Sequence, residues 1–188
     1  MADSQGNDIT TVGIPITGNV GLGPFGTDLP TPVEGADPDV VLEAAIKKLG
    51  LLKTDGGPQM AWAASGDPIE FWQVGYSIPS GLADVTFSVT AAQQDAFVRS
   101  IVSGQTPDAN GYIEVDGGGH STQYVLWVEE IYKNGMIRRR AAANVTVQSV
   151  TEDRNTRGEV QGYAIVFKVG RSPVFNNKHF GEWVLPAA

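Results

Sequence analysis

The stretch Thr122-Gln123-Tyr124-Val125-Leu126-Trp127-Val128-Glu129-Glu130-Ile131-Tyr132 runs into Lys133-Asn134-Gly135, and a second long run, Met136 to Val150, follows. Asn-Gly between two apolar-alternating runs is the strongest short-range hairpin signal, because both turn positions favour a left-handed backbone. Long two-stranded ribbons are marginal alone, so these arms are expected to belong to a larger sheet.

Outward from the hairpin the period stays near two. Gln161 to Val169 is a strand with Tyr163, Ile165, Phe167 and Val169 on one face, after a polar connection, Thr151 to Gly158. Gly81 to Thr90 is another, with Val85, Phe87 and Val89 facing one way and Asp84, Thr86 and Ser88 the other. Met60–Ala64, Ile69–Val74 and Tyr112–Val115 read as shorter strands separated by turns at Ser65–Pro68 and Asp108–Gly111. Two segments change to a helical period. Residues 38–49 follow an N-cap at Asp37, carry Pro38 at the first position and end at Gly50, with Val41, Leu42, Ala45, Ile46 and Leu49 on one side. Residues 91–103 follow Thr90 and stop at Gly104. The fold class is therefore α+β, mainly antiparallel β.

The two ends differ from this middle. Residues 1–37 contain no Lys or Arg, while Asp3, Asp8, Asp28, Glu34 and Asp37 are acidic and Gly and Pro recur throughout. Ile14, Ile16, Val20, Leu22 and Phe25 are too apolar for a solvated linker, so an extended arm that orders on a neighbouring surface is expected. Residues 171–188, with isolated aromatics including Trp183, read as a second arm. The domain between them spans 38–170.

Composition narrows the function. The chain of 188 residues carries a net charge of −8, which disfavours wrapping nucleic acid by phosphate neutralisation. Only 18% of residues are charged and 23 are Gly, leaving much surface that is neither charged nor bulky and suits cover by another subunit. There is no Cys, so thiolate and disulfide chemistry are excluded. Residues 1–8 show neither a basic region nor an apolar run, so no signal peptide is expected. No apolar run approaches the roughly 20 residues of a membrane span.

No catalytic constellation emerges. His120 and His179 lie far apart and have no metal-ligand spacing. Gly117-Gly118-Gly119-His120-Ser121 lacks the final Gly of a nucleophile elbow, and Gly56-Gly57 is not followed by Gly-Lys-Ser/Thr. Glu129 and Glu130 point to opposite faces of a strand and cannot share one bond. Arg138 and Arg140 share a face and Arg139 takes the other. This basic row reads as a blunted strand or as partner to acids of a neighbouring subunit, with a nucleic-acid patch as the alternative. Trp62, Trp72, Trp127 and Trp183 read as core or interface anchors, with a sugar platform as the alternative. No cofactor is expected, and the chain is not expected to be an enzyme.

Several segments together resemble the major tail tube protein of siphophages, particularly phages of actinobacteria. They are Leu49-Gly50-Leu51-Leu52-Lys53-Thr54-Asp55-Gly56-Gly57, Ile69-Glu70-Phe71-Trp72-Gln73, Asp84 to Thr90 with the helix after it, and Tyr124-Val125-Leu126-Trp127-Val128 through Asn134-Gly135 to Val150. The resemblance covers roughly residues 38–175 and is carried by order and spacing. It implies a β-sandwich or barrel with a flanking helix, related to contractile-tail and type VI secretion tubes. It implies hexameric rings stacked into a hollow tube in the virion tail, assembled in the host cytoplasm. The implied partners are further copies, tail tip and terminator proteins at the tube ends, a tape measure protein inside the tube before ejection, and DNA passing through without specific binding. Candidate lumen-facing acids are Glu70, Asp84, Glu114, Glu129 and Glu130. Candidate inter-subunit contacts are Ile14, Ile16, Val20, Leu22, Phe25, Arg138, Arg140 and Trp183. A sugar-binding β-sandwich or a capsid decoration subunit are the alternatives.

Overall fold

The computed structural model describes residues 4–118 and 120–187. In chain order its strands are β1 (Pro15–Pro24), β2 (Lys47–Lys48), β3 (Gln59–Ser65), β4 (Ile69–Glu70), β5 (Ser77–Ile78), β6 (Leu82–Ala91), β7 (Gln123–Tyr132), β8 (Ile137–Glu152), β9 (Tyr163–Val169) and β10 (Gly181–Leu185). The helix α1 is Ala96–Ser103. The fold is α+β and mainly antiparallel β. The chain divides into two compact units. The first takes residues up to Gly50, Gln123–Asn144 and the segment from Arg171 on. The second takes Leu51–Thr122 and Val145–Gly170.

In the first unit the strand path is β2-β1-β7-β8, with β10 also on β8. The predicted hairpin forms. The Tyr132 amide donates to the Met136 carbonyl at 2.9 Å, and Gly135 holds φ 82°, which a side chain would strain. β1 runs antiparallel to β7 from Gly18 opposite Glu130 to Pro24 opposite Tyr124. β10 pairs from Gly181 opposite Ala141 to Leu185 opposite Ile137. Ile46, Val125, Trp127 and Ala141 form a core cluster, covered by Leu29, Val40, Leu42, Phe175 and Trp183.

In the second unit β9 lies between β8 and β6, and β3 closes the path on the far side of β6. The alternation of β6 is as read from sequence, with Val85, Phe87, Val89 and Ala91 buried. Phe87 opposes Phe167 of β9, their ring centroids 6.0 Å apart. Lys53 Nζ sits 2.8 Å from Asp153, whose carboxylate also accepts the Gly162 amide at 3.1 Å. β4 and β5 form a small hairpin between β3 and β6.

The structure corrects several expectations. Residues 38–49 are not helical: they run irregularly into β2. The Asp37 carboxylate accepts from the Asp39 amide, closing a local turn. The carbonyls of Asp37 and Pro38, which a helix would need for its first turn, accept from Arg139 instead, and the Asp37 carbonyl also takes the Val40 amide in a tight turn at 3.2 Å. The second helix starts at Ala96 rather than Ala91, with Asp95 as its N-cap accepting the Val98 amide at 2.8 Å. Thr90 and Ala91 remain in β6, opposite Ala164 and Tyr163. Tyr112–Val115 is not a strand, and the strand at Ile69 stops at Glu70. Both ends join the first unit. β1 and β10 are paired strands, so boundaries at 37 and 171 cut through its sheet. Among the described residues, neither unit closes its strand path into a barrel. One path ends at β2 and the other at β3.

Candidate assembly surfaces

The three arginines of β8 decide how the first unit treats its charges. Arg139 is only 1% exposed. Its Nε donates to Glu129 at 2.7 Å, Nη1 to the carbonyls of Gly35 (3.0 Å) and Asp37, and Nη2 to Pro38 at 2.8 Å. Its guanidinium carbon lies 6.0 Å from the Trp127 ring centroid, within cation–π range. The planar fork of Arg suits several acceptors at once, which an ammonium would not. Glu129 also accepts from Asn19 at 3.1 Å.

On the other side of the strand Arg138 and Arg140 both donate to Glu182 Oε1, at 2.5 and 3.0 Å. Arg140 and Glu130 form an ion pair at 3.4 Å that is not a hydrogen bond. Burial raises the Glu182 pKa, but the hydrogen bonds from Arg138 and Arg140 outweigh it and hold the carboxyl below its ordinary 4.5. A depressed folded pKa gives stability that is present above the unfolded value and is lost as pH falls through the folded one. Glu182→Gln is therefore expected to lower stability at neutral pH and to flatten the loss below about pH 4.5. Urea unfolding across pH 3–7 measures it, and an unchanged acid limb would count against this role for Glu182.

The sequence-predicted residues separate into two groups. Val20 (1% exposed) and Leu22 (0%) are core residues of their own unit and not inter-subunit contacts. β1 turns them inward beside Val128 and Leu126 of β7. Glu129, Glu130 and Arg140 are largely buried in internal ion pairs, so neither acid is free to line a lumen. Arg138 is partly exposed but joined to Glu182. Trp183 packs at 5.6 Å on Trp127, donates to the Pro32 carbonyl at 3.0 Å, and approaches Gly35 so closely that a Cβ there would lie 2.5 Å from its ring. These partners belong to its own chain. Ile14, Ile16 and Phe25 are exposed, as are Glu70, Asp84 and Glu114. Asp84 lies 3.7 Å from Lys168, and Glu114 within 3.4 Å of the Tyr112 hydroxyl. A simple contrast follows. Leu22→Ala is expected to cost about 2–5 kcal/mol and Ile16→Ala almost nothing in the unfolding of the separate chain. Equal shifts in denaturant midpoint would overturn the placement.

A set of exposed apolar residues lies on one ribbon that the sequence marked only at Trp62 and Trp72. β3 and β6 pair from Gln59 opposite Ser88 to Ser65 opposite Leu82, and the Ser80 hydroxyl donates to the Ser65 carbonyl. Beyond them β4 and β5 continue the ribbon, and the Phe71 amide donates to Tyr76 at 3.1 Å. Trp62, Ile69, Phe71, Trp72, Val74, Tyr76, Ile78 and Leu82 are all exposed, Trp72 at 97% and Val74 at 99%. Scattered exposed apolar residues are ordinary, but eight on one ribbon mark an interaction surface. Only Trp62 and Trp72 of the four tryptophans face solvent, so a four-tryptophan platform does not form. The signal available in the sequence was charge: Gly57 to Asp84 holds Asp67, Glu70 and Asp84 and no base.

The geometry defines a β-rich chain whose charged clusters serve its own packing and whose apolar ribbon stands uncovered. No family model matches the chain, and no curated protein matches it in sequence. Among solved structures it is similar to the SPP1 tail tube, a hybrid solid-state NMR and cryo-EM structure. The identity is 12%, over 90% of this chain and 76% of that chain, with a TM-score of 0.44.

Proposed function

We propose that this chain is a structural subunit of a bacteriophage tail tube, of the siphophage kind, and not an enzyme. The observation that carries the reading is the ribbon Gln59–Leu82, whose eight exposed apolar side chains require cover by another chain. Copies form hexameric rings, and the rings stack into a hollow tube in the virion tail. Exposed Ile14, Ile16 and Phe25 add contact area between copies. Tail tip and terminator proteins cap the tube, and a tape measure protein fills it until DNA replaces it during ejection.

The net charge of −8 suits a conduit that repels phosphate. Of the five candidate acids, Glu70, Asp84 and Glu114 are exposed, and Glu114 is the one that lies off the ribbon and is left to line it. If it does, Glu114→Lys tubes retain DNA that parent tubes release; equal release at low salt removes Glu114 from the lumen.

Negative-stain electron microscopy of the purified protein tests the function itself. Hollow tubes or six-fold rings are expected, and monomers alone at high concentration overturn the reading. The exposure of Trp72 and Trp62 also fits a glycan-binding β-sandwich. That reading predicts a monomer whose tryptophan fluorescence responds to glycans.

A further inference from the structure

Among the strand edges that lack an outer strand in the described residues, two are long enough to take another strand. β3 ends the path of the second unit, and β1 is covered by β2 only at Gly21 and Leu22, leaving Pro15–Asn19 bare on that side. An unpaired edge is a template for another strand, and proteins that stay apart block it with Lys, Pro or inward charges. β3 reads Gln59-Met60-Ala61-Trp62-Ala63-Ala64-Ser65, with neither charge nor Pro. Its outer edge therefore has none of the usual side-chain defences.

We infer that the β3–β5 ribbon of one copy docks along the β1 edge of a second copy, over Ile14 and Ile16. Three observations select a second copy as the occupant. The β1 edge and the residues leading into it offer their own exposed apolar side chains, Val12, Ile14 and Ile16. Charge is complementary. The segment Gly57–Asp84 carries three acids and no base, while exposed Lys47 and Lys48 flank one end of the β1 edge. Lys133, whose amide donates to the Ile14 carbonyl at 2.8 Å, flanks the other end. The two surfaces also use different residues of one chain, so each copy retains one after using the other. Such head-to-tail contacts repeat until a ring closes or a filament grows. Steering between acidic ribbon and basic flanks would set the register of the pairing.

The inference rests on the tail-tube reading only for its claim of self-assembly, and a cross-linking experiment separates the two. The natural chain has no Cys, so single cysteines report single sites. Ile16→Cys and Ala63→Cys, both at exposed positions, are prepared separately, mixed in equal amounts and treated with a short bismaleimide. A covalent dimer is expected in the mixture and in neither variant alone. The double variant Ile16→Cys/Ala63→Cys is expected to give a ladder of higher multimers. A dimer of Ala63→Cys alone at the same yield means that ribbons pair with each other and overturns the inference. Rings or tubes without any mixed cross-link overturn it while leaving the tail-tube reading in place. A parent chain that stays monomeric at high concentration overturns both.

Discussion

Replacing Arg139 with Met is expected to remove about 3–5 kcal/mol of stability, the range found when one partner of a buried charged pair is deleted. The effect exceeds that of an ordinary ion pair because four acceptors each lose a bond together. Glu129 keeps its charge in a largely buried place, and the carbonyls of Gly35, Asp37 and Pro38 lose a bond. The Asp37 carbonyl keeps the Val40 amide at 3.2 Å, but an acceptor left without a donor adds a desolvation cost of about 1–3 kcal/mol unless water reaches it. Met fills a similar volume, so packing against Trp127 is largely kept and the loss reports the charge. The double variant Glu129→Gln/Arg139→Met should recover part of the loss, because the uncompensated carboxylate is gone. Urea unfolding with tryptophan fluorescence gives both values. A shift below 1 kcal/mol for the single variant would mean that Arg139 is not the fastening of the 35–38 segment.

That network also explains what the sequence could and could not disclose. Asn134-Gly135, the alternation Val85–Phe87–Val89 and the Gly104 helix stop are local signals, and each appears in the structure where it was read. Residues 38–49 have a sound helical pattern. They fail as a helix because a side chain about a hundred positions later takes their carbonyls, and no local pattern contains that fact. Gly18, Gly21 and Gly23 made the N-terminal segment read as an extended arm outside the domain. In β1 they are places of close approach: a Cβ on Gly18 would lie 2.3 Å from the Glu129 carbonyl and one on Gly21 2.8 Å from Ile46. The strand they permit carries Val20 and Leu22 into the core, so two of the expected contacts became interior. The opposite faces expected for Glu129 and Glu130, and for Arg139 against its neighbours, do appear. What alternation could not give was the partner, because Glu182 arrives from β10. The apolar ribbon escaped notice for a related reason. An alternating apolar strand reads alike whether its second face meets its own core or another chain.

The ribbon is where the largest effect on assembly is expected. Phe71, Trp72 and Val74 sit at its tip, and all three are exposed, so Phe71→Ser/Trp72→Ser/Val74→Ser leaves the core untouched. The circular dichroism spectrum and urea midpoint of the separated chain should match the parent, since surface changes away from caps and ion pairs usually stay within about 0.5 kcal/mol. Association should respond very differently. Aromatic anchors at interface centres commonly cost about 2 kcal/mol or more each when truncated. With about 1.4 kcal/mol per tenfold, losing the two aromatic anchors, Phe71 and Trp72, weakens each contact on the order of a thousandfold. In a ring every subunit makes the contact, so the loss recurs at each position and assembly should fail outright. Light scattering and negative-stain microscopy read this directly: the parent should give tubes or rings and the triple variant soluble monomers of unchanged fold. Tubes at parental yield from the variant would show that the ribbon's tip faces solvent in the assembly, and the exposed apolar residues of β1 and Phe25 would then have to carry the contact alone.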